Sequence, residues 1–453
     1  MRVIKLLQTN FVTYYGNFFV LLLLCAYYSC ATWEDFHPVS RVAGQRLAQF
    51  VVDNYPDASV LIITPNGVQN AAFGEAIAAE LRDSKTKLLG NVRGGPRDAE
   101  TKLRELGAQG VKVDFVATQF AAARWPIMTR SKLEDLAAEF SSLASARIIK
   151  PSSYRWPTFL TAGNLRSIVN NIAIVAIIAI GMTMVIITAG IDLSVGSLIA
   201  LSGVVIAVCV QRLAGDGEPS VLALLLGSLA AIGLCGLFGL FSGIMVTVFN
   251  IPAFIVTLAL MQIARGVAFK LAGGPTPVEI ASDRFHWFGG GDLWAVPIPV
   301  IVMALLYLVA HLLMVHTALG RYIYAVGGNA EAARLSGVPV KRVLLFTYVI
   351  CGGLAGLAGV IDASLFRVGR ATAGTGYELQ IIAAVVIGGT SLAGGEGKVF
   401  GTLIGALILS VIQNGMNLTN IDSFTQMIVF GGLILAAVLL DRLKARNWRL
   451  VWT

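Results

Sequence analysis

The string Gly190-Ile191-Asp192-Leu193-Ser194-Val195-Gly196-Ser197 places a carboxylate inside a long apolar stretch, GMTMVIITAGIDLSVGSLIALSG. An aspartate at membrane depth costs about 2.5–3.5 kcal/mol on insertion scales, so it must meet water, a helix end or a partner. Gly190 breaks the preceding helix. Asp192 and Ser194 are then placed to cap the next helix through its free N–H groups, where the positive end of the helix dipole favours a carboxylate. Capping is one role for Asp192, and gating or solute passage is the other. A second constellation runs from Asn329 through Glu331, Ala332, Ala333 and Arg334 to Gly337. Asn329 can cap a short helix, the two alanines permit close approach, Gly337 ends it and Pro339 prevents continuation. Such a piece is either an ordinary loop helix or a knob for a partner's groove.

Catalytic chemistry is not written in the chain. Its most glycine-rich string, GGTSLAGGEGKVFG, carries Lys398 but has Val399 where a phosphate loop needs Ser or Thr for magnesium, and the glycine spacing is wrong. Four histidines lack ligand spacing, and no paired carboxylates or Ser/His/Asp set occurs. Five cysteines show no zinc or disulfide pattern. The expectation is a chain that is not an enzyme and holds neither metal nor cofactor. The net charge of +8 does not indicate a nucleic-acid partner, because the basic residues gather at ends and loops on one side of a membrane.

The elements that must position these residues are membrane helices. Of 453 residues, 56% are hydrophobic and 13% charged, against about a quarter charged in soluble chains. About 20 apolar residues span the hydrocarbon core. Ten such runs are expected: 11–31, 168–189, 193–213, 222–248, 253–271, 296–316, 343–365, 379–392, 399–416 and 424–440. The runs opening at Leu193 and Leu379 are short or glycine-interrupted, as broken or re-entrant helices are. The first run is read as retained, since Tyr27, Tyr28 and Trp33 follow it in place of a small-residue cleavage site. The positive-inside rule puts Arg2, Lys5, Arg321, Arg334, Lys341, Arg342 and the tail residues Arg442, Lys444, Arg446 and Arg449 in the cytoplasm. The expected fold is therefore mainly α, a polytopic bundle of about ten spans. Residues 1–31 form the first span, 158–442 the remaining nine and 443–453 a basic cytoplasmic tail.

Residues 32–157 read differently, as an extracytoplasmic α/β insert of Rossmann-like character. Helical spacing over 42–53, 71–81 and 97–106 alternates with strand-like runs at 59–64, 87–92 and 113–118. Alternation of this kind implies a parallel sheet covered on both faces.

Two resemblances follow. The order GQRLAQFVVDN, ASVLIITPNGVQNAAFGEAIAAEL and DAETKLRELGAQGVKVDFVATQFAAA resembles one lobe of the two-lobed extracytoplasmic sugar-binding proteins, although Gln119 and Phe120 stand where that family usually has Asn-Asp. Docking and direct substrate sensing are both open roles for the lobe. The string around Asp192 is similar to the signature of the membrane subunits of ribose-type monosaccharide ABC importers. Asn329 to Lys341 resembles their ATPase-coupling helix, and PAFIVTL, ARG, GYEL and GGTSLAGGEG are typical of the same family.

Membership would imply a gated permease without ATPase activity of its own. ATP and magnesium would sit on a separate ATP-binding subunit, a sugar-binding protein would deliver a ribose-like monosaccharide, and a second permease copy would complete the path. Gly190, Asp192, Ser194 and Gly196 would form the signature and gate. Thr188, Thr257, Gln262, Arg265 and Gln380, polar at membrane depth, are candidates for the route, each also readable as a helix–helix hydrogen bond. Branched-chain amino acids or nucleosides are alternative cargoes. An ion-coupled secondary transporter is the alternative mechanism.

Overall fold

The computed structural model describes residues 2–214 and 217–451, with side chains over 16–213 and 217–439. The side chains of Arg2, Lys5, Arg442, Lys444, Arg446 and Arg449 therefore lie outside the described residues. The chain forms two compact units, one comprising residues 1–32 and 159–453 and the other Trp33–Thr158.

Helix α1 (Arg2–Ala31) leads into the smaller unit, which contains β1 (Trp33–Phe36), α2 (Arg41–Asn54), β2 (Ser59–Thr64), α3 (Val68–Arg82), β3 (Lys87–Arg93), α4 (Pro96–Ala108), β4 (Phe115–Thr118), α5 (Phe120–Ala123), α6 (Arg130–Glu139), β5 (Arg147–Ile149) and β6 (Tyr154–Pro157). Four strands make a parallel sheet in the order β3-β2-β4-β5. The central strand SVLIIT is buried on both faces, as a parallel strand between helical layers must be. Val60 and Ile62 pack with Leu47, Val51, Phe73 and Ile77 on one face, while Leu61 and Ile63 pack with Leu103, Leu106 and Leu136 on the other. The strands β1 and β6 pair antiparallel, Trp33 opposite Pro157, so the unit's two ends leave side by side.

The larger unit continues through α7 (Ala162–Ile187), α8 (Val195–Ala214), α9 (Val221–Thr247), α10 (Ala253–Ala272), β7 (Val278–Glu279), α11 (Asp283–Gly290), β8 (Asp292–Leu293), β9 (Val296–Pro297), α12 (Ile298–His316), α13 (Ala318–Gly328), α14 (Ala330–Leu335), α15 (Val340–Phe366), β10 (Val368–Gly369), α16 (Tyr377–Ile387), α17 (Val399–Leu418) and α18 (Ser423–Val451). Among the described residues, seven helices, α7–α10, α12, α15 and α17, are long and apolar enough to cross a membrane. Shorter apolar helices at 16–31, 377–387 and 423–439 occupy the other three apolar runs. The unit is thus a polytopic helical membrane protein.

Helix α7 is the central post, most of its length buried, whereas α9, α10 and α12 turn leucines such as Leu229, Leu258 and Leu305 outward. A face this apolar is stable in lipid and not in water. Glycines at four-residue spacing set the closest helix pair. A Cβ at Gly239 would meet the Tyr348 backbone, at Gly243 the Leu345 Cα at 3.2 Å, and at Gly356 the Ile232 Cα at 2.9 Å. The helices α9 and α15 therefore touch backbone to backbone, the contact that drives association where lipid removes the hydrophobic incentive.

Candidate functional site

The chain breaks between α7 and α8. Thr188 caps α7, its hydroxyl donating to Val185 O at 2.8 Å, and Ala189 takes the left-handed conformation at φ 59°. Gly190 has no room for a side chain, since a Cβ would lie 2.6 Å from the Tyr348 hydroxyl. Asp192 is fully buried. Its Oδ1 accepts from the Ser194 N–H at 2.9 Å and from the Ser194 hydroxyl at 2.6 Å, while Oδ2 has no partner among the described residues. The carboxyl group thus secures the residue before α8 and not the N–H groups of the helix itself. The Cys351 thiol lies against it, and the nearby Tyr348 hydroxyl is also without a partner. Gly196, in the first turn of α8, is crowded by Gly374 O and by Oε2 of Glu378, so that a second carboxylate approaches the positive end of the same helix.

Helix α10 ties down this break and a second one. The Thr257 hydroxyl lies 2.9 Å from Ala253 O and 3.2 Å from Ile191 O. Two turns on, Arg265 Nη1 donates to Ala371 O at 2.8 Å and Ala373 O at 2.7 Å. Those carbonyls belong to the irregular segment 370–376, whose Gly374 and Gly376 have φ of 64° and 81° and which opens into the short helix α16. An arginine at membrane depth is thereby satisfied by unwound backbone, with Glu378 acting on it electrostatically. Gln262 lies on the exposed face of α10 and Gln380 is half-buried on α16. The structure brings Asp192, Thr257, Arg265 and Glu378 around two helix breaks. It leaves Gln262 and Gln380 at the unit's surface.

Helix α14 is short and closed at both ends. Asn329 Oδ1 accepts from the Ala332 N–H at 2.9 Å. Gly337, at φ 85°, donates to Arg334 O while Val338 donates to Ala333 O, both at 3.0 Å, the paired bonds of a Schellman end. Ala333 is buried, whereas Glu331, Arg334 and Leu335 are exposed, the first two ion-paired at 2.9 Å. Replacing Asn329 with alanine removes the cap at a cost of about 1 kcal/mol. Hydrogen exchange of the amides of residues 330–335 accelerates accordingly, and unchanged rates would show that packing of Ala333 holds the helix.

The preceding helix α13 was not legible as such, and it carries a junction. Gly327 packs on Ile187 O, the last carbonyl of α7, and on the backbone of Gly395. Gly395 N–H donates to Ile187 O at 2.8 Å, and Tyr324 donates to Gly397 O at 2.8 Å. The coupling-like helix thus begins three residues after a backbone contact with α7, and that contact lies five residues ahead of Asp192. Sequence reasoning also missed Asp362, buried and paired to Arg370 at 3.0 Å. One acid in an apolar run, eight residues before a basic partner, was the available signal.

Residues 164–438 match the family model described as branched-chain amino acid transport system / permease component. The ribose import permease protein RbsC of Escherichia coli is 47% identical over 292 residues, covering 64% of this chain and 88% of that protein. RbsC of Bacillus subtilis is 42% identical over 64% of this chain and 88% of its own length. The D-allose transport system permease protein AlsC of Escherichia coli is 38% identical over 64% of this chain and 86% of its own length. No solved structure matches.

Proposed function

The chain belongs to the ABC transport-system permease components, among the ribose-type sugar permeases, and from that membership we propose that it carries a ribose-like monosaccharide inward through a path completed by a second copy. The observation that carries the cargo is the 47% identity to a ribose import permease over 88% of that protein's length. Membership in this family favours ATP coupling over ion coupling. Driving force comes from a separate ATP-binding subunit, which docks on α14, and ATP and magnesium belong to that subunit. The exposed Glu331, Arg334 and Leu335 are the surface it grips, and Gly327 relays its motion to α7.

The two breaks that meet at Gly196 and Gly374 form the gate, with Asp192 and Arg265 holding its backbone in place. Of the polar side chains Thr188, Thr257, Gln262, Arg265 and Gln380, the two threonines are buried with their hydroxyls bonded to backbone, so Gln262, Arg265 and Gln380 are the ones that offer hydrogen bonds to a hydroxylated solute along or beside it. Both termini and α14 face the cytoplasm, as the basic residues require. The unit Trp33–Thr158 is an extracytoplasmic docking lobe for the sugar-binding protein that delivers cargo. Of the remaining lobe reading, direct sensing, the unusual Gln119 is fully enclosed and offers no accessible sugar contact.

Uptake into proteoliposomes containing this chain, an ATP-binding subunit and a sugar-binding protein tests the reading. Labelled ribose is expected to enter only with ATP. Entry of allose, arabinose or a branched-chain amino acid in preference to ribose would replace the cargo, and ATP-independent entry would overturn the mechanism. Replacing Glu331 and Arg334 together with alanine is expected to slow uptake severalfold while insertion is unchanged; full uptake would remove α14 as the docking point.

A further inference from the structure

The apolar surface of the membrane unit is interrupted by a furrow of about 590 Å³ between α9, α12 and α15, floored by Ile180 and Met184 of α7. Every residue lining it is apolar. Three of them are glycines of a different kind from those at the α9–α15 contact: a Cβ on Gly233, Gly236 or Gly353 would meet nothing within 4 Å. Close approach does not require them. Their effect is to keep the furrow open.

Its length and its lining point to the occupant. Along α15 the furrow runs from Phe346 to Leu357, about 16 Å at the helical rise of about 1.5 Å per residue. That is close to one leaflet, half of a hydrocarbon core about 30 Å thick. A furrow of one leaflet's length, lined only by apolar side chains and glycines, accommodates a flexible hydrocarbon chain lying along it.

The end of the furrow carries charge. Arg342 lies one turn before Phe346, on the stripe that continues through Ile350, Gly353 and Leu357. It is exposed, it forms no ion pair among the described residues, and Lys341 is beside it. Arginine one turn outside a leaflet-length furrow stands where lipid phosphates lie.

We propose that the furrow holds an acyl chain of an anionic phospholipid whose phosphate rests against Arg342. The site requires that the chain cross a membrane and is independent of the cargo and coupling readings. Native mass spectrometry of the full-length protein, taken from vesicles of phosphatidylcholine containing a minor share of phosphatidylglycerol, tests it. Wild type is expected to retain phosphatidylglycerol preferentially, and the double replacement Gly236→Leu with Gly353→Leu to lose it. Arg342→Gln is expected to lower the preference about fivefold, the effect of one basic group at an anionic surface, while lipid of either kind still binds. Unchanged retention by the filled variant, or no headgroup preference in wild type, overturns the proposal. So does dissociation of a dimer on filling, which would make the furrow a face between copies. Should the filled variant fail to fold, tryptophan at Phe346→Trp reports instead: bromine-labelled phosphatidylglycerol chains must quench it more strongly than bromine-labelled phosphatidylcholine, and equal quenching refutes the site.

Discussion

Replacing Gly327 with alanine is expected to cut ATP-driven uptake by at least about tenfold, a cost of about 1.4 kcal/mol or more in the transport step. The reason is geometric. The added methyl would occupy the space of Ile187 O and sit 2.6 Å from the Gly395 nitrogen, so α13 must lift from the end of α7. The carbonyl it displaces already accepts the Gly395 N–H, and one small change therefore disturbs three segments. Gly328 provides the control. Its added Cβ meets nothing within 4 Å, and Gly328→Ala should transport normally. Both variants should insert and keep the ATP-binding subunit bound. Unimpaired uptake by both would show that Gly327 does not relay motion from α14 to α7, and equal loss in both would point to the loop's general flexibility.

The second large effect concerns stability. Asp362 is 4% exposed and meets Arg370 Nη2 at 3.0 and 3.2 Å, while the guanidinium also lies 4.2 Å from the Phe366 ring centroid. Arg370→Met leaves a buried carboxylate without its cation, a loss of about 1–3 kcal/mol, less than for a fully enclosed pair because the guanidinium is one-third exposed. Removing both charges, with Asp362→Leu added, should restore most of it, because apolar residues of similar volume replace a buried pair at little cost. Thermal unfolding in detergent reads the difference. If the double variant is no more stable than the single one, Asp362 contributes through packing and not through its charge.

These two sites differ in how plainly the chain announces them. A helix lies over each of the ten apolar runs, but among the described residues only seven are long and apolar enough to cross a membrane, so apolar composition marked the helices and not the number of spans. The short helix α16 was foreshadowed by Gly388 and Gly389, which end it after 11 residues. Helices α11 and α13 are short, contain glycine and carry mixed polarity, so neither length nor period marks them. In the smaller unit α6 and β5 escaped for the same reason: RSKLEDLAAE is largely polar, and RII is too short to alternate. The cap at Asn329 was readable because its partner is three residues away. Asp192 was readable as an anomaly, but Cys351 and Tyr348, which surround it, come from a helix more than 150 residues later. Contacts across helices have no local signature.

The paired strands β1 and β6 bear on the protein's history. Trp33 and Pro157 face each other across an antiparallel ladder, where opposed Cα atoms are about 5 Å apart. A segment of some 120 residues thus enters and leaves through one narrow neck. Excising it would require only a tight turn between neighbouring positions, and grafting another module in its place would demand nothing more. The neck makes this stretch of the chain exchangeable in evolution and in engineering, with the transmembrane helices left as they are.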